Sequence, residues 1–350
     1  MAPRAAAFTK ETTTTTGTGS VGLGGAPAGF LTFRTALGLS SGQSAQVTYA
    51  IETTGAREAG IGTVTANLDG TTTLSRDTVL KSTNGGGKIN LAGTSSVYLD
   101  VADAPFVPDG HIFGLSLANN ATSPLSAVDI AVGSCRASDG SRSMDLRSGL
   151  TKSLNASWAA GSGAGGLDTG TKAGLSTYHV YLIGKDDGTL DGLFSLSASA
   201  PTMPTGYTHR RRLGAVLTNS GGDILAFAQF GDEFLLGAPP LDLSGAATSV
   251  SRTLVALSVP NGIAVDALLR VTVKDTTAAA AVLLTSVWEA DSAASAGSGA
   301  ATLATSAANV VAAWEGRIRT STARQIGVRA TATTPLVEIR TRGWVDTRGK

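Results

Sequence analysis

Glu11 to Ala28 read ETTTTTGTGSVGLGGAPA, a run of threonine and glycine behind a single acid. Threonine branches at Cβ and is stiff at its first side-chain torsion, and glycine is costly in a helix interior. The segment therefore argues for strand and turn. Outward from it the same pattern continues. Residues 45–52 (AQVTYAIE), 61–68, 74–81 and 95–102 (SSVYLDVA) alternate apolar and polar side chains between Gly, Asn or Asp punctuation, as half-buried strands do. Asp69-Gly70 and Asn84-Gly85 are turn signals, and a small β-domain is expected to close near Ala104-Pro105.

Further strands follow in HIFGLSLANN from His111, PLSAVDIAVGSCRA from Pro124 and TYHVYLIGKDDGTLDGLFS from Thr177. Asp187-Gly188 turns the last of these into a hairpin. Pro239 and Pro240 stop the preceding strand and mark a junction. Beyond them, SRTLVALSVP, GIAVDALLRVTVKD, AAVLLTSVWEAD, GRIRTS, RQIGVRATA and PLVEIRTRGWVD space short strands as a sandwich does, and Ser292 to Gly299 reads as a mobile loop. The fold class expected is all-β: several small β-domains in series, 1–105, 106–238 and 239–350, ending in a β-sandwich or jelly-roll-like domain.

Composition narrows the function. The chain has 350 residues, 44 of them Gly, 15% charged residues and a net charge of +1. Such a balance draws it neither to nucleic acid nor to a membrane surface. The single cysteine, Cys135, excludes an internal disulfide and reads as a small buried hydrophobe. No stretch reaches the ~20 apolar residues of a membrane helix, and MAPRAAAFTK lacks the apolar core of a signal peptide, so a protein soluble in the cytoplasm where it is made is expected.

His111, His179 and His209 share no metal-binding spacing, and His179, between Tyr178 and Val180, reads as a packed side chain. Asp186-Asp187 and Asp232-Glu233 are adjacent pairs whose members point to opposite faces of a strand. Neither can flank one glycosidic bond, and they read as turn and strand-end residues. GSGAGG, Gly161 to Gly166, opens no helix and carries no Lys-Ser/Thr, so it reads as a flexible surface loop and not as a phosphate loop. The triplet Ser75-Arg76-Asp77 reads as a surface ion pair in a turn. No catalytic residue, metal site or cofactor is expected.

Two places suggest binding. The run His209-Arg210-Arg211-Arg212 is the densest positive charge, and Arg210 and Arg211 are candidates to grip a phosphate or an acidic sugar. From Val310 onward eight Lys/Arg face three Asp/Glu. Period-two alternation puts Glu315, Arg317 and Arg319 on one face of a strand, and Glu338, Arg340 and Arg342 on one face of another, with Ile318 and Ile339 inward. Arg317, Arg319, Arg340 and Arg342 are candidate contacts for an anionic polysaccharide. Trp288, Trp314 and Trp344 are candidates to stack on sugar rings, although three Trp in a sandwich more often fill core or subunit seams.

Several of these stretches, taken in order, resemble phage tail-fibre and host-recognition proteins. They are the acid and Thr run, the GxG that follows, Phe30 and Phe33, YAIE from Tyr49 to Glu52, and the GIGT, TLSRDTVL and NGG segments from Gly60 to Gly86. A second series is similar to phage fibre proteins: SGLTKSLNASWAAGSGAGGLDTG from Ser148, YHVYLI, and APTMPTGYTHRRRLGAVLTNSGGDILAFAQFGDEFL. Together they cover most of residues 11–236. The resemblance implies a non-enzymatic virion protein, made in a bacterial cytoplasm and carried on tail or capsid. It implies a homo-oligomer, most plausibly a trimer, docked on other virion proteins by its N-terminal block. Its C-terminal domain would face a host surface polysaccharide, with no nucleic acid bound and no membrane insertion. Repeated weak sugar contacts would hold through avidity. Two other readings remain open: a purely structural spike base or tail-hub decoration protein, and a glycan depolymerase. The regular ~20–30 residue period of a β-helix is not visible for the depolymerase.

Overall fold

The computed structural model describes residues 6–99, 110–246, 250–295 and 301–349. It is all-β, and its one described helix, Phe33–Ala36, is four residues long. The chain divides into two compact units, Met1–Val107 and Pro108–Lys350. The expected boundary at Ala104-Pro105, and part of the Ser292 to Gly299 loop, lie outside the described residues.

The first unit is one sheet that closes on itself. Its strands run in the order Lys10–Thr13, Ser95–Leu99, Ser44–Thr53, Ala56–Ala66, Thr72–Leu74 and Val21–Leu23, with Thr78–Ser82 also on Ala56–Ala66. The Thr/Gly run makes the seam. The Thr12 amide donates to the Gly25 carbonyl at 3.1 Å and the Gly24 amide to the Thr12 carbonyl at 2.8 Å, joining the first strand to the last. A Cβ on Gly24 would sit 3.1 Å from that carbonyl, so the close approach favours glycine. Val21, Phe33, Val47, Tyr49, Val64, Leu74 and Val97 fill the core.

Arg76 overturns the reading of Ser75-Arg76-Asp77 as a surface ion pair. The expected strand 74–81 breaks at this triplet into Thr72–Leu74 and Thr78–Ser82. Arg76 turns inward and forms a fully buried ion pair with Glu58. Glu58 also accepts from the Tyr49 hydroxyl and the Ile89 amide, each at 2.7 Å, while Arg76 donates to the Ile89 carbonyl at 2.7 Å. Burial alone would push the Glu58 carboxyl up, but these donors hold it below its ordinary value.

The second unit has one continuous core, running from Leu115 to Trp344. Hence Pro239-Pro240 does not divide it as the sequence suggested. The hairpin Phe227–Phe230 and Glu233–Leu236 lies before the prolines, yet it joins the sheet of the last strand, Leu336–Val345. Four sheets make up the unit. A seven-stranded sheet ends on the edge strand His209–Leu217. A three-stranded sheet holds Ile112–Gly114, Gly133–Arg136 and Ser143–Leu146. The six-stranded sheet centres on Asp266–Lys274, between Val311–Arg319 and Leu336–Val345. A four-stranded sheet comprises Thr253–Ala256, Gln325–Ala330, Ala281–Thr285 and Leu303–Ala304. Inner side chains of the last two sheets, among them Val271, Val273, Ile339, Val282, Leu284, Ile326 and Val328, bury together as the sandwich pattern requires.

The loop at Gly161 is tied down instead of free. The Gly161 amide donates to Asp191 at 2.9 Å, and the Gly161 and Ala159 carbonyls accept from Lys152 at 3.1 and 2.7 Å. Lys152 and Asp191 form a buried ion pair at 3.1 Å. The glycines lead directly into Gly165–Leu167, which runs parallel to Leu150–Ser157.

Candidate anion-binding surfaces

On the six-stranded sheet, alternation points Asp266, Leu268, Arg270, Thr272 and Lys274 of the central strand outward. Glu315, Arg317 and Arg319 of one neighbour point the same way, as do Glu338, Arg340 and Arg342 of the other. The two rows read separately from the sequence thus share a single outer face. It carries six cations (Arg270, Lys274, Arg317, Arg319, Arg340, Arg342) against four carboxylates: Asp266, Glu315, Glu338 and Glu233, the last opposite Val345 on Glu233–Leu236. In a chain of net charge +1 this concentration of positive charge is local.

Pairing sorts these side chains. Glu315 lies between two arginines, 2.6 Å from Arg270 Nε and 2.6 Å from Arg342. The Arg270 hydrogen bond leads in holding its carboxyl below the usual range. Arg342 is the extra residue of a bulge, since both it and Gly343 lie opposite Leu268, and the bulge aims it across the central strand. Arg319 pairs with Asp266 at 3.2 Å. Of the four arginines named for polysaccharide contact, Arg319 and Arg342 are therefore already engaged. Among the described residues Arg317, Arg340 and Lys274 have no carboxylate partner.

The tryptophans separate by burial. Trp344 is 1% exposed and stacks on Phe234, ring centres 5.3 Å apart and planes 8° from parallel. It is a core residue and cannot meet a sugar. Trp314 points to the inner face, half-buried against the core, with its ring over Gly316. Only Trp288, 64% exposed, stands where a ring could stack on it.

The basic run is likewise redistributed. His209 bonds Asp186 at 2.8 Å and Ser141 at 3.0 Å. Arg212 makes a two-pronged ion pair with Asp346 at 2.6 and 2.7 Å. Arg211 is 4% exposed and donates to the carbonyls of Gly110 at 2.9 Å and Gly349 at 3.2 Å. Arg210 is half-buried and reaches the Ser199 carbonyl at 3.3 Å. These arginines line a cleft of about 310 Å³ together with Arg348, which no local pattern places beside them.

The remaining polar residues have structural roles. Asp187 accepts from the Thr189 amide at 2.8 Å and closes its turn, as expected. Asp232 lies at the start of Glu233–Leu236 and pairs with Arg348 at 2.9 Å. His179 is fully buried, with Nε2 2.9 Å from the Asn261 carbonyl, and burial pulls its value down to about 4. Cys135 is buried, and burial pushes its thiol up to about 12. Among the described residues no helix is long and apolar enough to cross a membrane.

Compared with known proteins, the chain matches no family model and no curated sequence.

Proposed function

We propose that this protein is a non-enzymatic fibre or spike component of a phage virion that attaches the particle to a host cell. The outer face of its six-stranded sheet grips an anionic surface polysaccharide. One observation carries the binding surface: Arg317 and Arg340, neither paired with a carboxylate among the described residues, stand on a sheet face with an excess of two positive charges. A broad sheet face suits a polymer better than a small substrate, and guanidinium forks match carboxylate, sulfate or phosphate groups. The virion setting rests on the motif series resembling tail-fibre proteins. That resemblance also suggests a homotrimer whose N-terminal barrel docks on other virion proteins, and three copies would multiply a weak contact through avidity.

A glycosidase needs one carboxyl poised to donate a proton, and Glu315, held below its usual range by Arg270 and Arg342, is not such a group. Asp242, whose value burial raises, is bonded to Ser258 at 2.6 Å and to Thr341, inside the structure.

A glycan array probed with the full chain tests the reading. Binding to uronate-, sulfate- or phosphate-bearing polysaccharides, and not to neutral ones, is expected. An array without any acidic ligand would refute it.

A further inference from the structure

Arg210, Arg211, Arg212 and Arg348 converge on one cleft, shared with Ser138, Tyr181, Ser199 and Gly349. Among the described residues no carboxylate lines it. Two of the four guanidiniums are neutralised from behind, Arg212 by Asp346 and Arg348 by Asp232. Arg211 meets only carbonyls, those of Gly110 and Gly349, and Arg210 only that of Ser199. Two positive charges are thus left facing the cleft, and for Arg211, which is buried, leaving the charge uncompensated is costly.

The hydrogen bonds give a second, independent sign. Arg211 is 4% exposed and Arg348 5%, and both line the cleft. The Nε of Arg211 and one terminal nitrogen of Arg348 are buried without an acceptor. Buried N–H groups on charged side chains are ordinarily satisfied, because leaving one unmade forfeits the desolvation of the group. Burial comes first among the influences that pull the Arg211 guanidinium below its usual value, and the charges of Arg212 and Arg348 add to it. An anion in the cleft would offset the unmatched charge of Arg210 and Arg211.

We propose that this cleft binds a phosphate or sulfate ester carried on a body the size of one sugar ring. The two unmatched guanidinium charges of Arg210 and Arg211 fit the oxygens of a tetrahedral ester group. At about 310 Å³ the space exceeds what a bare oxoanion fills and falls at the small end of ligand pockets. The hydroxyls of Ser138 and Ser199 supply further polar lining for a sugar. The cleft shares no residue with the outer face of the six-stranded sheet, so the two sites stand or fall separately.

Calorimetric titration of the full chain with glucose 6-phosphate, glucose 6-sulfate, inorganic phosphate and glucose tests this. One equivalent of at least one ester is expected to bind, bare phosphate more weakly and glucose not at all. Replacing Arg210, which reaches only the Ser199 carbonyl, should leave folding intact, and Arg210→Gln should weaken the ester about tenfold. Arg211→Lys, which keeps the charge but loses the fork, should weaken it as well. If that variant fails to fold, Arg210→Gln decides alone. Absence of saturable ester binding, binding of bare phosphate as tight as that of the esters, or full affinity in Arg210→Gln would each overturn the proposal.

Discussion

Glu11 and His179 give the two units opposite responses to acid. Glu11 is 3% exposed with one carboxylate oxygen unpartnered, and burial pushes its value from 4.5 up to about 7, against a smaller pull from the Phe33 amide. The folded unit therefore holds a proton that the unfolded chain releases. Its contribution is complete below pH 4.5 and fades as pH rises through 7. His179 behaves inversely. Its value falls from 6.5 to about 4 in the fold, so its contribution is complete above 6.5 and is lost as pH drops toward 4, amounting to about 3 kcal/mol. Scanning calorimetry between pH 5 and 8 should show the transition of the first unit moving down with rising pH and that of the second moving up. Glu11→Gln and His179→Gln should each flatten the slope of their own unit, and unchanged slopes would contradict the assignment. His179 was legible as a packed side chain because its neighbours on both sides are apolar. Arg76 was not, because its partner Glu58 lies eighteen positions away on another strand and nothing local announces the pairing. For Trp344 a core role was the commoner reading, but its partner Phe234 was not legible, being distant in the chain.

At the level of strands, alternation and turn residues placed most elements well, since both are local properties of the backbone. The outward row of Arg317 and Arg319 and that of Arg340 and Arg342 were readable from period two alone. Their merger onto one face was not, because it depends on Asp266–Lys274 inserting between the two strands. The prolines at 239 and 240 misled for a related reason. They do end a strand, but hydrogen bonds across the sheet carry Glu233–Leu236 over to the last strand, with Phe234 opposite Trp344. Gly343 makes that crossing possible, since a Cβ there would come within 2.0 Å of the Phe234 carbonyl oxygen and 3.0 Å of Leu235 Cα. Backbone on both sides leaves nothing flexible to yield. Gly343→Ala should push the hairpin off the sheet and lower the stability of the second unit by about 1–3 kcal/mol. Denaturant unfolding followed through tryptophan fluorescence reads this directly, and a variant as stable as the parent would show that the hairpin does not need this contact.

Across the whole molecule, each unit buries an ion pair, Arg76 with Glu58 in the first and Lys152 with Asp191 in the second, and the six-stranded sheet of the second displays its charges. In the barrel, Arg76 and Glu58 are consumed by each other in the core. On the six-stranded sheet the same chemistry is turned outward, with Glu315 bracing Arg270 and Arg342 while Arg317 and Arg340 face solvent without a counter-charge. Attachment through that face is the central claim, and its strength must be electrostatic, screened by salt over a Debye length of about 8–10 Å near physiological ionic strength. The most direct measurement is the affinity of the full chain for an alginate polyuronate from low to high salt, alongside the double variant Arg317→Glu/Arg340→Glu. Binding that weakens steadily with salt in the parent, and falls about tenfold or more in the variant at low salt, is the predicted result. Equal binding by parent and variant, or binding indifferent to salt, would contradict it.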